Sequence, residues 1–517
     1  MNHYPLRAAL VALTAILSPS ITSARQCLVT KLTADDARPE NQFGHALAVQ
    51  GDEIFVGSPL ENVAGKDSGS VHVLRRVGLS WFLEAKLTAP DAKQRLAFGT
   101  RIAVDKDTLV VASGPSAPAL YVYERAGRAW NLAVKLLPQS PLDLGAGFGH
   151  ALALRGDWIF VGAPLDSSAG LQAGAIHAYR RADAGWSPAG RIVPADIEPQ
   201  EHFGSALAAW GDRFIATSPW DDLASHGGSA YVFERIDSDW IQRQKLVVQG
   251  PPGNTFGASV ALRAETLVVG ASAAAYVFEG AGGTWVESAR LTADTFANFF
   301  GRSVALTDEH VLVSTDRHPE GSVFAFRRGS LEAGAARLQP DDVTNGAYID
   351  RFGWNLAASS DLAVVSADNS SQRASGAGAV FVYSLSGAAC ATLSSPRELS
   401  WGKQRLELDR GAEHAGHVYR MLGSLSGTSR GLPFRGTRIP LNHDWYFALL
   451  LRTPQLAPFT TMGVLDGNGR ASLVLQVPPE SYSYVVGLTL DHAFLERGPF
   501  GFEHVSNAVQ VRFGPRP

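Results

Sequence analysis

Aspartate and tryptophan side chains recur in the polar segments that separate the short apolar runs of this sequence. Six of them form the candidate ligand-binding set: Asp166, Trp220, Asp221, Asp222, Asp316 and Asp368. Carboxylates at an exposed rim attract a cation, a basic peptide or a sugar, and an exposed tryptophan is typical of sugar or protein contacts. The neighbouring pair Asp221 and Asp222 also suits acid/base chemistry on a glycosidic bond, but adjacency in sequence does not fix the separation that this chemistry requires. The simpler interpretation is that Asp recurs because it caps turns through its own backbone.

Sequence motifs for catalysis are absent. The chain has no GxSxG, HExxH, Walker loop or paired-cysteine motif. His45 and His150 follow a Phe-Gly pair, but the equivalent positions elsewhere hold other residue types: Thr100, Ser205, Ala258, Arg302 and Trp354. We therefore expect binding rather than catalysis, no catalytic residue, no cofactor and no metal. A site assembled from several repeats would escape a motif search, so a polysaccharide-degrading hydrolase or lyase is the alternative.

A sequence repeat positions the candidate residues. Seven Phe-Gly pairs, spaced 55, 50, 55, 53, 44 and 52 residues apart, each precede an apolar strand, a tight polar turn and a second apolar strand: Phe43-Gly44, Phe98-Gly99, Phe148-Gly149, Phe203-Gly204, Phe256-Gly257, Phe300-Gly301 and Phe352-Gly353. Repeats of about 40 to 50 residues with four short strands are typical of a β-propeller. The chain is therefore predicted to be all-β, with a seven-bladed propeller over residues 25–390 whose loops present the candidate residues on one face.

The predicted strands complete seven blades only if the chain closes into a ring. A fourth strand follows the repeats and usually begins with Trp, although the copy at residues 331–338 lacks it. The seventh repeat has no fourth strand, whereas an extra copy at residues 27–32 precedes the first repeat. This N-terminal strand is predicted to complete the last blade, which leaves no exposed sheet edge.

Ring closure brings the two cysteines of the chain, Cys27 and Cys390, to the same blade. Two cysteines in an oxidising compartment can pair without leaving one over. We predict a disulfide between them, with two unpaired cysteines as the alternative. In either case their role is structural.

The repeats resemble the FG-GAP repeats of the integrin α-subunit propeller and of many secreted bacterial proteins, over about residues 27–387. The GAP element is complete at Gly162-Ala163-Pro164 and altered in three other repeats: Gly57-Ser58-Pro59, Thr217-Ser218-Pro219 and Gly270-Ala271-Ser272. The resemblance implies a seven-bladed propeller outside the cytoplasm that presents loops for ligand binding.

Several repeats of that family carry a DxDxDG calcium loop between the first and second strands. The equivalent turns here lack the spaced carboxylates that calcium needs, so we do not expect a structural metal. One of these turns, Arg155-Gly156-Asp157, spells an RGD tripeptide. Sister repeats have Gln50-Gly51-Asp52 and Trp210-Gly211-Asp212 there, so we interpret Gly-Asp as turn chemistry.

Residues 1–24 have the features of a secretory signal peptide: a basic start, an apolar run and small residues at Thr22 and Ala24. We expect cleavage after Ala24 and export to the periplasm, the cell surface or the medium. No later stretch approaches the roughly 18 consecutive apolar residues of a membrane span. The net charge of −4 and the lack of a Lys/Arg run argue against a nucleic-acid partner.

The repeat period ends after residue 390. Residues 391–517 have short apolar runs bounded by Gly, Pro, Asn and Ser, which predicts a small all-β domain of the β-sandwich type. The sequence as a whole predicts a secreted, non-catalytic binding or adhesion module for an extracellular protein or polysaccharide. A structural cell-surface component is a further alternative, and no feature of the sequence indicates the oligomeric state.

Overall fold

A computed structural model describes most of the strands and their connections. The described residues are 27–34, 36, 38–77, 80–139, 145–221, 227–249, 254–281, 283–292, 299–315, 321–333, 335–338, 351–370, 375–385, 392–394, 403–409, 416–424, 432–434, 437–439, 462–465, 470–476, 489–498, 501–505 and 509–512. Among them, no helix is both long enough and apolar enough to cross a membrane.

Seven four-stranded antiparallel sheets form the blades of a β-propeller. The N-terminal strand β1 covers Cys27–Leu32. Blades 1 to 6 follow as consecutive strands, innermost strand first. Blade 1 has β2 (Ala46–Gln50), β3 (Glu53–Ser58), β4 (Ser70–Val77) and β5 (Ser80–Leu87); blade 2 has β6 (Arg101–Asp105), β7 (Thr108–Ala112), β8 (Leu120–Ala126) and β9 (Ala129–Leu136); blade 3 has β10 (Ala151–Arg155), β11 (Trp158–Ala163), β12 (Ala175–Ala182) and β13 (Gly185–Ile192). Blade 4 has β14 (Leu207–Trp210), β15 (Arg213–Ser218), β16 (Ser229–Ile236) and β17 (Asp239–Leu246); blade 5 has β18 (Ser259–Arg263), β19 (Thr266–Gly270), β20 (Ala275–Ala281) and β21 (Thr284–Leu291); blade 6 has β22 (Val304–Leu306), β23 (His310–Thr315), β24 (Ser322–Arg327) and β25 (Ala335–Leu338).

Blade 7 confirms the predicted ring closure. It contains β26 (Phe352–Ala358), β27 (Leu362–Ala367) and β28 (Ala379–Ser384), and β1 pairs antiparallel with β28 as its outermost strand. Cys27 lies opposite Ser384 in this pairing. Cys390 lies outside the described residues, so the disulfide stays a prediction.

The fourth strand of blade 6 differs from the prediction. Residues 331–338 were expected to form one strand, but a short 3-10 segment covers Arg328–Ala333 and β25 begins at Ala335. The outer strands of blades 3 and 5 each bury a tryptophan, Trp186 and Trp285. Without such an anchor the first half of the segment in blade 6 takes a turn instead.

Burial along the strands follows their position in the blade. The second strand is buried along its whole length, as in β3 and β11, because neighbouring blades cover both of its faces. The outermost strand is mostly exposed, as in β13. In every blade the Phe of the Phe-Gly pair packs against a ring on the third strand, with centroids 5.2–5.4 Å apart.

Adjacent blades meet where two glycines allow backbone to touch backbone. A Cβ on Gly162 of blade 3 would lie 2.0 Å from the carbonyl oxygen of Gly204 in blade 4. A Cβ on Gly174, whose φ is +91°, would lie 2.2 Å from the carbonyl oxygen of Phe203. The Phe203 N–H donates to the Ala173 carbonyl at 2.8 Å across the same junction. The Phe-Gly pair and the glycines of the preceding blade therefore form one interlocking contact.

This contact recurs around the ring. Ideal Cβ atoms would approach a carbonyl oxygen of the next Phe-Gly pair to within 2.3 Å or less at six further glycines: Gly57, Gly69, Gly228, Gly270, Gly321 and Gly378. Gly378 meets Phe43, so the junction that closes the ring has the same geometry as the others.

The part of the chain after the propeller is also built of strands. They are β29 (Thr392–Ser394), β30 (Lys403–Asp409), β31 (Val418–Ser424), β32 (Leu432–Phe434), β33 (Thr437–Ile439), β34 (Met462–Val464), β35 (Arg470–Gln476), β36 (Thr489–Gly498), β37 (Gly501–Val505) and β38 (Val509–Arg512). They pair in sheets of three (β29, β30, β35), five (β34, β31, β36, β37, β38) and two (β32, β33) strands. The β-sandwich arrangement stays a prediction.

Gly162→Ala is expected to lower the melting temperature, because the new Cβ would overlap the backbone of Gly204. Neither backbone can move without separating two blades, so we expect a loss of about 3 kcal/mol or more of stability. Gly329→Ala is the control, since no atom lies within 4 Å of its Cβ position. Thermal unfolding followed by circular dichroism measures both variants, and equal melting temperatures would contradict the interlocking contact.

Candidate functional site

The predicted acidic residues lie in the loops between the second and third strands of their blades. Asp166, Asp221 and Asp368 follow β11, β15 and β27, and their exposed fractions are 3%, 5% and 0%. Asp222 and Asp316 lie outside the described residues. The described carboxylates are therefore buried beneath the face on which they were expected to form a rim.

Each buried carboxylate has a partner inside the protein. Three pairs give the contacts: Asp166 Oδ2 with His177 Nε2 at 3.3 Å, Asp221 Oδ2 with Lys245 Nζ at 2.8 Å, and Asp368 Oδ2 with His45 Nδ1 at 3.3 Å. Such pairing offsets the desolvation of a buried charge and fixes the loop that carries it. Asp166 Oδ1 also accepts from the Ser168 N–H at 2.8 Å, which agrees with the turn-capping interpretation for this residue. A direct ligand contact by these residues stays a prediction.

Glu61 occupies the equivalent loop of blade 1 and has a strongly shifted pKa. Burial opposes its ionisation, but hydrogen bonds from His72, Lys86 and Ser70 outweigh burial and lower its pKa to about 2. The carboxylate is therefore charged throughout the physiological pH range, and its hydrogen bonds hold the loop against His72, Lys86 and Ser70.

Trp220 is the one described member of the predicted set that faces solvent. Its side chain is 51% exposed, and its indole lies 5.6 Å from the imidazole of His202 between ring centroids. His202 precedes the Phe-Gly pair of blade 4. The loop after β15 and the turn before β14 together form this aromatic pair, in which His202 is partly buried.

A buried carboxyl pair lies next in sequence to the aromatic pair. Glu201 is 6% exposed, and burial and the neighbouring Asp221 raise its pKa to about 7. Lys245 lies 2.8 Å from Asp221 and 3.1 Å from Asp196. Glu201 therefore keeps its proton to a higher pH than an ordinary carboxyl group does.

A tight turn around each Phe-Gly pair brings further side chains to the start of the innermost strand. The residue before Phe has a φ between +49° and +75° in all seven repeats. The N–H of the residue after Gly donates back to its carbonyl, as from Arg302 to Phe299 at 3.1 Å and from Trp354 to Arg351 at 3.0 Å. Each blade thereby presents two side chains at the same end of the ring.

Cationic and aromatic side chains from different blades converge at this end. The guanidinium carbon of Arg302 lies 3.7 Å from the Trp354 ring centroid, and that of Arg351 lies 4.6 Å from it. Burial and the charge of Arg302 lower the pKa of Arg101. Arg101 begins the innermost strand of blade 2, and Arg302 lies just before the innermost strand of blade 6.

His150 belongs to the same cluster. Burial, Arg101 and His202 lower its pKa to about 4, although its side chain is exposed. We call this end of the ring the channel mouth and define it by Arg101, His150, His202, Arg302 and Trp354.

The position after Phe-Gly contains a signal for these residues, since it holds Arg302 and Trp354 in two of the repeats. Comparison of this position between repeats shows no repeated histidine, which by itself argues against catalysis. In a ring, however, one position from each blade meets the others at the axis, so different residue types at that position can form one site.

Four segments of the chain match the family model of the FG-GAP repeat: residues 28–74, 81–123, 186–233 and 335–383. These segments are FG-GAP repeats. They belong to the seven-bladed propeller described above, and the glycines of the FG and GAP elements are among those at which the blades meet.

Solved structures similar to the FG-GAP propeller have low sequence identity to it. A protein from Lactobacillus plantarum matches with 15% identity and a TM-score of 0.42, over 59% of this chain and 86% of its own. A chain of a mitotic checkpoint complex matches with 12% identity and a TM-score of 0.43, over 74% and 99%. A putative 6-phosphogluconolactonase from Bacteroides uniformis matches with 13% identity and a TM-score of 0.42, over 60% and 88%. Comparison with curated proteins gave no significant match.

At the end of the propeller opposite to the channel mouth, the arginines form ion pairs with carboxylates of neighbouring blades. Arg155 contacts Asp105 at 3.4 Å, and Arg263 forms two bonds of 2.7 Å with Asp308. Both arginines also lie over the ring of Trp210, at 5.0 and 4.9 Å. Neighbouring blades are thus tied together by paired charges at this end, whereas like charges converge at the channel mouth.

No group of three or more His, Cys, Asp or Glu side chains within the described residues is arranged to hold a metal ion. The turn Arg155-Gly156-Asp157 joins β10 to β11, and Gly156 has a φ of +55°. The Gly156 N–H donates to Asp105 at 2.7 Å. These contacts agree with the interpretation of Gly-Asp as turn chemistry.

Glu201→Gln is expected to change how stability depends on pH. Because the folded-state pKa of Glu201 is raised from 4.5 to about 7, its stabilising proton is fully present below pH 4.5 and is lost as pH rises towards 7. The variant should therefore gain melting temperature relative to wild type as pH rises from 5 to 8. Glu287→Gln, at an exposed position of β21, is the control and should follow the wild-type curve. Parallel curves for Glu201→Gln and wild type would show that the pKa is not raised.

Proposed function

We propose that the protein is a secreted, non-catalytic binding module that engages an extracellular ligand at the channel mouth and its surrounding loops. The contact between the exposed Trp220 and the partly buried His202 is the observation that carries this proposal. It offers a flat apolar surface with a polar edge, which suits a sugar ring or an aromatic side chain. The described carboxylates of the same loops are engaged internally, and this favours binding over acid/base chemistry.

The second candidate is an enzyme that cleaves a polysaccharide. Glu201 and Asp221 favour it, because glycoside hydrolysis uses two neighbouring carboxyl groups, one of which has a raised pKa. Both groups are nevertheless buried, and Asp221 forms an ion pair with Lys245. A substrate would have to displace the loop that carries Trp220 to reach them.

Incubation of the purified protein with polysaccharides from the host cell envelope separates the two functions. Co-sedimentation measures retention, and size-exclusion chromatography of the polymer measures chain length. Retained polymer of unchanged length supports the binding module. Polymer that is shortened by wild type and left intact by Glu201→Gln would establish the enzyme and overturn our proposal.

Trp220→Ala is expected to weaken retention of the bound polymer about tenfold, because one stacked ring contributes roughly 1.4 kcal/mol or more. The control is Phe82→Ala on the outer strand β5, an aromatic residue that is 49% exposed. Equal loss in both variants would indicate nonspecific adsorption to surface aromatics.

Export and a disulfide belong to the same proposal. The mature chain is expected to begin at Arg25, and β1 would be held to blade 7 by a bond between Cys27 and Cys390. The pairing of Cys27 with Ser384, shortly before Cys390 in the chain, supports it. Terminal sequencing and peptide mapping without reductant test both statements, and two free thiols in the exported protein would refute the disulfide.

A further inference from the structure

Two segments of the chain lie side by side where blade 3 meets blade 4, next to the exposed indole of Trp220. The Gln200 N–H donates to the Leu171 carbonyl at 2.8 Å, and the His202 N–H donates to the Gln172 carbonyl at 3.3 Å. The His202 imidazole in turn contacts the indole, at 5.6 Å between ring centroids. We call this surface the junction shelf and define it by Leu171, Gln172, Gln200, His202 and Trp220.

The junction shelf presents apolar and amide side chains to solvent. Leu171 and Trp220 are 62% and 51% exposed, and Gln172 and Gln200 are exposed as well. Among the residues that the structure describes, none forms a hydrogen bond with the side-chain amide of either glutamine. Both amides are therefore available to a ligand as donors and as acceptors.

The fold does not require these residue types at the junction. The same backbone bond runs from the Arg95 N–H to the Lys66 carbonyl at 2.8 Å between blades 1 and 2, and from the Glu40 N–H to the Ser375 carbonyl at 2.7 Å between blades 7 and 1. Gln200, Arg95 and Glu40 also share a left-handed backbone, with φ of +71°, +62° and +65°. Because three residue types occupy one backbone position, the side chain of Gln200 is free to serve a ligand.

Charge at the junction disfavours an anionic ligand. Neither of its two segments, residues 165–173 and 194–203, contains Lys or Arg. Glu198 is exposed, and it forms no ion pair within the described part of the chain. Asp196 is also exposed, and it contacts Lys245 at 3.1 Å. A carboxylate or sulfate beside Trp220 would thus meet like charge from these segments.

We propose that the junction shelf binds a neutral polysaccharide, with one sugar ring on the Trp220 indole and sugar hydroxyls bonded to the Gln172 and Gln200 amides. The inference rests on the proposed binding function and specifies its ligand class. The C–H face of a sugar ring is apolar and packs on an aromatic face, whereas each hydroxyl both donates and accepts, as an amide does. The backbone bonds hold the shelf in place before the ligand arrives, which lowers the entropic cost of binding.

The arrangement of the shelf favours a sugar over a protein partner. The centre of a protein interface is a continuous apolar patch that is surrounded by polar residues. On the shelf, Gln172 and His202 stand between Leu171 and Trp220 in the series of contacts. Apolar and polar groups therefore alternate, as they do on a chain of sugar rings.

The test uses the full mature chain and polysaccharide from the host cell envelope, which anion-exchange chromatography separates into a neutral and an acidic fraction. Each fraction is immobilised at equal mass. We expect retention on the neutral fraction and little or none on the acidic one. Retention on the neutral fraction should not change when salt is added, because the contacts involve no charge on the ligand that salt could screen.

Gln172→Ala and Gln200→Ala are expected to weaken retention on the neutral fraction about fivefold each, as for the loss of one uncharged hydrogen bond. Arg95→Ala is the matched control, because it removes an exposed side chain from the same backbone position at another junction. It should bind as wild type does.

Thermal unfolding separates lost binding from lost folding. All three variants remove exposed side chains and keep the backbone bonds, so their melting temperatures should equal that of wild type. If Gln200→Ala alone melts at a lower temperature, the retention of Gln172→Ala decides the question. Equal retention of the neutral fraction by both glutamine variants and by Arg95→Ala would refute the amide contacts and overturn the inference, while the binding function would stand.

Two further outcomes distinguish failure of the inference from failure of the proposed function. Retention of the acidic fraction alone, weakened in Trp220→Ala, would preserve the binding function and refute the neutral ligand. If neither fraction is retained, or if Trp220→Ala retains the neutral fraction as wild type does, both the inference and the proposed polysaccharide site at Trp220 are refuted. A protein would then be the ligand class left to the proposed function.

Discussion

Close approach of backbone between neighbouring blades is the constraint on which the rest of the molecule depends. Gly162 and Gly174 lie so near Gly204 and Phe203 that no side chain fits between them, and equivalent glycines occur around the ring. The Phe ring then packs on the third strand of its own blade, while the Gly carbonyl touches the blade before it. One dipeptide thus determines both the packing within a blade and the spacing between blades. That spacing in turn places the turns around Phe-Gly at the axis.

The repeat made the fold predictable, because the same pattern of strand, turn and glycine recurs in the sequence of each blade. The innermost strand, the Gly-Asp turn and the second strand of the third repeat were located from local signals that do not depend on distant contacts. Closure by β1 also followed from the strand count. Blade 6 departed from the pattern at the point where its outer strand lacks Trp. Without that Trp, the local sequence of blade 6 does not specify a strand over the whole segment, as it does in the other repeats.

The site was less predictable than the fold, since it depends on which side chains meet in space. Asp166 and Asp368 were chosen for their residue type and loop position, but strand neighbours such as His177 and a residue of the adjacent blade, His45, engage them. Arg302 and Trp354 are far apart in sequence and in different repeats, and only the packing of blade 6 against blade 7 brings them together. A pattern along the chain reports burial and turns well, whereas the electrostatics of a ring axis depend on all blades at once.

The pairing of β1 with β28 also sets an order of events during folding. The two strands are separated by almost the whole propeller, so a chain emerging from the ribosome makes β1 long before its partner exists. Blades 1 to 6 are built from neighbouring segments and can form sheets as they appear, but the ring cannot close until residue 384 is available. Contacts of such long sequence separation form slowly, and an unpaired strand edge is prone to pair with other chains. The period between synthesis of β1 and synthesis of β28 is therefore the time at which this protein is most exposed to misassembly.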